Sequence, residues 1–376
     1  MDFSIDKADL TAALEKCVLA VPDHKHPTEA FRLMAVNAKK KSVKFSAVGE
    51  LCTVDTVAPV GDGDVKAPGG FVVYPKQLQS FVGHLPAGKV RFTLKGTRVT
   101  VQSGKRKSSF ENITTEVKPV EDPGPAAPWI ELRASELVRT LKMVKAASTW
   151  DDSGKPVNSL LVPSEAGLQV YGCNGYLITL VQSSMRVDGP PVQVPATAFA
   201  VLQLMLDDDD KVRLFSDGSR LYLENCDTLV SAPLNDDPSL QQHPHMIAVI
   251  KNDGESIRGP SFALRPLQDG LKAVLSGAGF AGDLDKKGAR GYQIKATFAD
   301  KVSLELALSN ADTRDEFEID EPGAELEFCL SSSFLDQLLK SLHGVERVQA
   351  LRTSNLLLLR SQGVIAGIME ERPQSV

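Results

Sequence analysis

The chain has 376 residues, 42% hydrophobic and 24% charged, an ordinary globular balance that can fill two or three cores. Its 42 Lys and Arg against 48 Asp and Glu leave a net charge of −6, which excludes a histone-like protein held to DNA by overall positive charge. A local basic surface is not excluded. No apolar run reaches the roughly 20 residues of a membrane span, and the start Met1-Asp2-Phe3-Ser4-Ile5-Asp6 has no basic-then-apolar segment, so neither a membrane anchor nor a secretion signal is expected. The five cysteines are far apart with no Cys-x-x-Cys, so reduced thiols are expected and a zinc site is not.

In chain order, Leu10, Leu14 and Cys17 form one stripe of a helix. Lys39-Lys40-Lys41 reads as a hairpin turn, followed by the alternating strand Val43, Phe45 and Ala47. A second helical stripe, Leu78, Phe81 and Leu85, leads into Val90–Leu94, a turn at Lys95-Gly96, and Arg98–Val101. Lys118 to Pro128 holds four prolines and reads as a linker.

The same order then recurs. Leu137, Leu141 and Val144 repeat the first stripe. Leu168, Val170 and Gly172 repeat the strand, and Phe199, Leu202 and Leu206 the second stripe. Val212–Leu214 turns at Asp217-Gly218 into Arg220–Leu223. The second linker spans Pro233 to Pro260. A third round gives Leu267, Leu271 and Val274, then Val302, Leu304 and Leu306, then Leu335, Leu338 and Leu342. Val348–Leu351 turns near Ser354-Asn355 into Leu356–Leu359, where Gly and Asn at the hairpin turns are expected to take positive φ. Each unit therefore reads strand, helix, several strands, helix, hairpin, with domains at 1–122, 128–250 and 258–376.

Few motifs point to catalysis. Gly277 to Gly282 fits a three-glycine dinucleotide pattern, but a helix precedes it where a strand is required, and Gly277 to Gly291 reads as a charged loop. His24 with His26, and His243 with His245, lack the further ligands of a four-ligand metal site. Asp207 to Asp210 cannot all point at one ion and read as a solvated turn. No nucleophile elbow is present, although triads assembled from distant positions leave no local mark. No cofactor, metal or enzymatic activity is expected.

The polar helix faces carry more. With Leu137 at 0°, Lys142 falls near 140° and Arg139 near 200°, both opposite the core stripe. Lys272 occupies the repeat position of Lys142, where the first unit has Glu15, and Lys76 and Lys340 face outward on the second helices. Outward lysines are common on any helix; recurrence on equivalent elements is what marks these.

Three tandem units of this kind resemble the bacterial sliding clamps, the beta subunits of DNA polymerase III. The resemblance spans nearly the whole chain. It rests on the order and spacing of Pro75 through Gly88, Ser103-Gly104-Lys105-Arg106, Leu168 through Gly175, and Val194-Pro195 before a helix ending in Met205-Leu206-Asp207. It implies an α+β fold of three clamp domains, each with two helices packed on antiparallel sheets. Two chains would join head to tail into a ring, with twelve helices lining a hole around duplex DNA. Function by resemblance is that of a processivity factor, cytoplasmic and nucleoid-associated, which holds DNA polymerase and is loaded by a clamp loader.

The resemblance also implies three surfaces. The DNA side is Lys25, His26, Lys76, Arg139, Lys142, Lys155 (in the loop after Trp150), Lys272 and Lys340. The ring-closing contact sets Phe110 of one copy against Val274 and Leu275 of the other, apolar residues expected at an exposed helix end. A cleft for short hydrophobic partner peptides is formed by Cys173, Gly175, Tyr176, Leu177, Pro244, Val249, Ile368 and Met369. The chain departs from the family at Tyr176-Leu177, where His-Arg is usual, and at Ile368-Met369-Glu370-Glu371-Arg372, where the family ends in an apolar strand. A paralogous or phage- or plasmid-borne clamp fits these departures, and so does a clamp-fold platform for protein binding without ring closure.

Overall fold

The computed structural model describes residues 1–21, 26–148, 158–195, 198–199, 211–234, 256–280, 291–307 and 312–371. The chain divides into two compact units, 1–136 with 197–234, and 137–196 with 235–376.

In the first unit, β1 (Asp2–Asp6) passes directly into α1 (Lys7–Ala20). The expected stripe is real: Leu10, Leu14 and Cys17 are fully buried. A three-stranded meander follows, β2 (Met34–Lys39), β3 (Ser42–Val48) and β4 (Thr53–Pro59), with Lys40-Lys41 as the first turn. Short β5 (Val65–Ala67) and β6 (Gly69–Val73) precede α2 (Pro75–Gly83), whose Pro75 at the first helical position brings a pre-set φ and no wasted N–H. Then come β7 (Lys89–Lys95), β8 (Arg98–Ser103) and β9 (Arg106–Glu111). Phe3, Phe92 and Phe71 stack in series, with ring centroids 4.9 and 5.8 Å apart, at the centre of this core.

The second round opens with β10 (Ile130–Arg133) and α3 (Ala134–Val144), in which Leu137, Leu141 and Val144 are buried. Its strands are β11 (Asn158–Ser164), β12 (Gly167–Cys173), β13 (Leu177–Gln182) and β14 (Val192–Pro195), then β15 (Lys211–Ser216), β16 (Arg220–Glu224) and β17 (Thr228–Pro233). Phe199 is buried, while Leu202, Leu206 and the Asp207 to Asp210 run lie outside the described residues.

The third round runs β18 (Ile257–Ala263), α4 (Leu264–Phe280), β19 (Gln293–Phe298), β20 (Lys301–Ala307), β21 (Asp312–Glu318), β22 (Leu326–Ser331), α5 (Ser332–Ser341), β23 (Arg347–Thr353), β24 (Leu356–Ser361) and β25 (Val364–Met369). Ser331 caps α5 by accepting a bond from the Phe334 N–H at 3.3 Å. Phe262, Phe298 and Phe328 fill the core beneath Leu267, Leu271, Leu335 and Leu338.

Four expectations need correcting. The second linker stops short of Pro260, which is buried within β18 at a register shift between Arg258 and Ser261, where a strand tolerates the missing N–H. The segment Gly277 to Gly291 is not all loop, because α4 continues through Phe280. In the third hairpin, positive φ falls on Ser354 (φ 54°) and not on Asn355. The closing hairpin of each unit is a three-stranded meander, with β9, β17 and β25 as its third strands.

Those third strands decide the topology. All strand pairs among the described residues are antiparallel. One eight-stranded sheet runs β10-β15-β16-β17-β4-β3-β2-β6 and a second runs β14-β11-β12-β13-β25-β24-β23-β18. In each, the meander of one repeat joins the meander of its neighbour, β17 to β4 and β25 to β13. The remaining strands form a five-stranded sheet, β5-β1-β7-β8-β9, and a four-stranded one, β21-β20-β19-β22. Among the described residues β9 and β21 are thus edge strands, although their counterparts in the other repeats are joined.

Candidate functional site

The helix faces do not carry their cations alike. On α3, Arg139 and Lys142 are exposed, and Lys145 follows in the 3-10 turn Lys145–Ser148 that extends the helix. Arg139 also reaches the Met143 Sδ at 3.9 Å. Among the described residues neither Lys142 nor Lys145 has an acid within ion-pair distance. On α4, Lys272 lies 3.3 Å from Asp269, and on α5, Lys340 lies 2.6 Å from Asp336. These acids sit one turn earlier on the same helices and offset both lysines. Lys76 is half-buried and lines a cavity. His26 is half-buried too: its ring lies 3.5 Å from a Glu50 oxygen, packs near Phe31, and accepts the Thr28 N–H at 3.1 Å. Lys25 and Lys155 lie outside the described residues.

The proposed cleft residues divide into buried and accessible ones. Cys173, Leu177 and Ile368 are at most 2% exposed, so they build the sheet and do not line an open surface. Cys173 belongs to a cluster with Tyr171, Ile178 and Leu180. Gly175 is exposed and takes φ +90°, which turns the chain between β12 and β13. Tyr176 is half-exposed and stacks on Phe334 with centroids 4.6 Å apart, while its carbonyl accepts the Met369 N–H at 2.9 Å. Met369 packs against Leu356 and Leu358. The Arg352 guanidinium lies over the Phe328 ring and holds Glu370 at 2.6 Å, which pins the chain beyond β25. Pro244 and Val249 lie outside the described residues. Phe334 carries no repeat signal, so periodicity could not find it.

At the β9 edge, Phe110 meets Phe81 edge-on at 6.0 Å and borders a cavity of about 860 Å³. Val21, Arg32, Tyr74, Lys76, Gln77 and Ser80 line the rest, and the Arg32 guanidinium lies 5.9 Å from the Tyr74 ring centroid. The apolar contact expected from α4 is half as large as supposed. Val274 is 1% exposed on the face of α4 that packs against β20 and β21, so only Leu275 is partly open.

The charged edges oppose each other in sign. Lys105, Arg106 and Lys107 are exposed around the start of β9. On β21, Asp312, Asp315, Glu316 and Glu318 outnumber Arg314, which is bound to Glu305 and Glu316. Elsewhere, ion pairs set local protonation: the Lys89 ammonium holds the Asp64 carboxyl below its usual range, and Arg91 does the same to Asp2. Burial pushes the Cys52 thiol up to about 12 and that of Cys17 higher still. Among the described residues no group of three His, Cys, Asp or Glu could hold a metal, and no helix is long and apolar enough to cross a membrane.

No family model and no curated protein matches the chain. Solved structures do. The DNA polymerase sliding clamp of Bacillus subtilis matches over 100% of both chains at 16% identity with a TM-score of 0.83. That of Caulobacter crescentus matches over 99% of this chain and 100% of its own, at 18% identity and TM-score 0.82. The DNA polymerase III subunit beta of Pseudomonas aeruginosa matches over the same shares at 15% identity and TM-score 0.82. The chain has the three-domain sliding-clamp fold from end to end.

Proposed function

We propose that this chain is a sliding clamp: two copies close head to tail into a ring around duplex DNA and tether DNA polymerase to it. The observation that carries this reading is the pair of unmatched sheet edges. Two of the three repeat boundaries are closed by joining one repeat's third meander strand to the next repeat's meander. The third boundary leaves β9 and β21 over, one on the first repeat and one on the last. An open edge is a template for pairing with another chain, and the opposite charges of these two edges favour each other over self-pairing. Head-to-tail joining of two copies satisfies both edges twice and closes.

In this reading the domains are 1–122, 128–250 and 258–376, and the cavity beside Phe110 receives Leu275 of the second copy. Lysines on the helices meet phosphate without reading sequence, so the ring slides. Retention is topological, and the tether raises the local concentration of polymerase at the primer end. Tyr176, Gly175 and Met369 form the accessible lip of a site for hydrophobic partner peptides. The protein performs no chemistry of its own and works in the cytoplasm with a loader.

Sedimentation tests the ring. A dimer that Phe110→Asp or Leu275→Asp dissociates is expected, because each places an unpaired charge in an apolar contact. A strict monomer would instead favour a clamp-fold binding platform.

A further inference from the structure

We propose that the peptide site at the end of β25 selects for positive charge: the carboxylate of Glu371 receives a Lys or Arg that flanks the apolar residues of a partner peptide. The inference rests on the cleft reading and deepens it by naming the partner's chemistry.

Two backbone bonds fix where Glu371 lies. The Met369 N–H donates to the Tyr176 carbonyl at 2.9 Å, and two residues later the Glu371 N–H donates to the Cys329 carbonyl at 2.8 Å. The chain leaving β25 thus crosses from the turn between β12 and β13 to β22. Two residues of chain span at most about 7 Å, so Glu371 stays beside Met369. Cys329 in turn lies a few residues before Phe334, which stacks on Tyr176. Tyr176, Phe334, Met369 and Glu371 are all half-buried, so one lip presents an aromatic pair, a thioether and a carboxylate.

The charges around this carboxylate do not cancel. Burial raises the Cys329 thiol above its ordinary range, and the nearby acids Glu371, Glu370 and Glu327 raise it further. Two of those acids are engaged: Arg352 holds Glu370 at 2.6 Å and Lys295 holds Glu327 at 2.9 Å. Among the described residues no cation lies within ion-pair distance of Glu371, and its Oε1 is shut off from solvent with no hydrogen-bond donor. A carboxylate that has lost water and gained no donor gains more from an arriving cation than a fully hydrated one does. An ammonium or guanidinium on the incoming peptide supplies that cation, whereas a peptide acid meets a like charge. The apolar lip gives affinity and the carboxylate gives choice.

The test is fluorescence anisotropy on the full-length chain with three labelled peptides, one Leu- and Phe-containing core flanked on both sides by Lys, by Gln or by Glu. The Lys peptide is expected to bind about tenfold more tightly than the Glu peptide at low salt, with the Gln peptide between them. The gap should narrow as added salt screens it. The net charge of −6 by itself favours a cationic peptide, so the deciding variant is Glu371→Gln. It should level the three affinities, while Tyr176→Ala should weaken all three alike. Equal binding of the Lys and Glu peptides by the wild-type chain, or a Lys preference that survives Glu371→Gln, overturns the inference and leaves the cleft standing. Failure of all three peptides to bind sinks the cleft reading with it.

Discussion

Leu177 lies directly opposite Ile368 where β13 meets β25, and both side chains are shut off from solvent. The two residues are 191 positions apart in the sequence, yet they form the seam that makes one sheet from two repeats. Ile368→Ala is therefore expected to destabilise the second compact unit by about 2–5 kcal/mol, as cavity formation in a packed core does. Urea unfolding followed by circular dichroism measures it. A loss under about 0.5 kcal/mol, the range of exposed sites, would contradict the assignment.

Tyr176 should behave oppositely. Its stack on Phe334 is partly open, so Tyr176→Ala should cost stability only about 1 kcal/mol. It should, however, reduce binding of a short Leu- and Phe-containing peptide, because the lip of the proposed cleft loses its aromatic surface. Fluorescence anisotropy with such a labelled peptide gives the answer. Unchanged affinity would place the peptide site elsewhere.

The helix lysines should contribute unequally to DNA binding. Lys142→Gln with Lys145→Gln is expected to make the slope of log affinity against log salt shallower by about two, near 0.9 for each phosphate no longer neutralised. Neutralising the pairs Asp269 with Lys272 and Asp336 with Lys340 should leave the slope nearly unchanged, since each pair carries no net charge. Duplex binding between roughly 50 and 200 mM salt separates the two. Equal effects would mean that all the helices share the load.

The thiols give a check on the fold itself. Burial raises Cys17 and Cys52 far above the ordinary thiol range, so at pH 8 almost none of either is thiolate. Cys226 is exposed. A short iodoacetamide pulse at pH 8 read by mass spectrometry should label Cys226 first and leave Cys17 and Cys52 unlabelled. Early labelling of Cys17 would contradict the packing of α1.

The repeats are legible in the sequence because helical stripes and alternating strands are local signals, and each stripe named in the described residues is buried but for Phe81, which stays half-open. The third meander strands are not. Arg106-Lys107-Ser108-Ser109-Phe110-Glu111 has no run of alternating apolar residues, since Phe110 is its one apolar side chain. Nor can local pattern show the joints: β17 meets β4 across more than 170 positions, and nothing in either strand announces the other. Surface roles for Val274 and Leu177 come from resemblance alone, while their burial depends on the packing of α4 against β20 and β21 and on the pairing of β13 with β25. Equal roles for Lys142 and Lys272 likewise come from repeat position alone; the acid one turn before Lys272 is visible in the sequence, and its 3.3 Å contact makes the difference.

The most direct measurement of the central claim is retention on DNA of different topology. Loaded onto a nicked circular duplex and passed through a sizing column at moderate salt, the protein should stay with the DNA and be lost once a single cut linearises it. Equal retention on circular and linear DNA, or none on either after loading, would contradict a ring that holds DNA by encirclement.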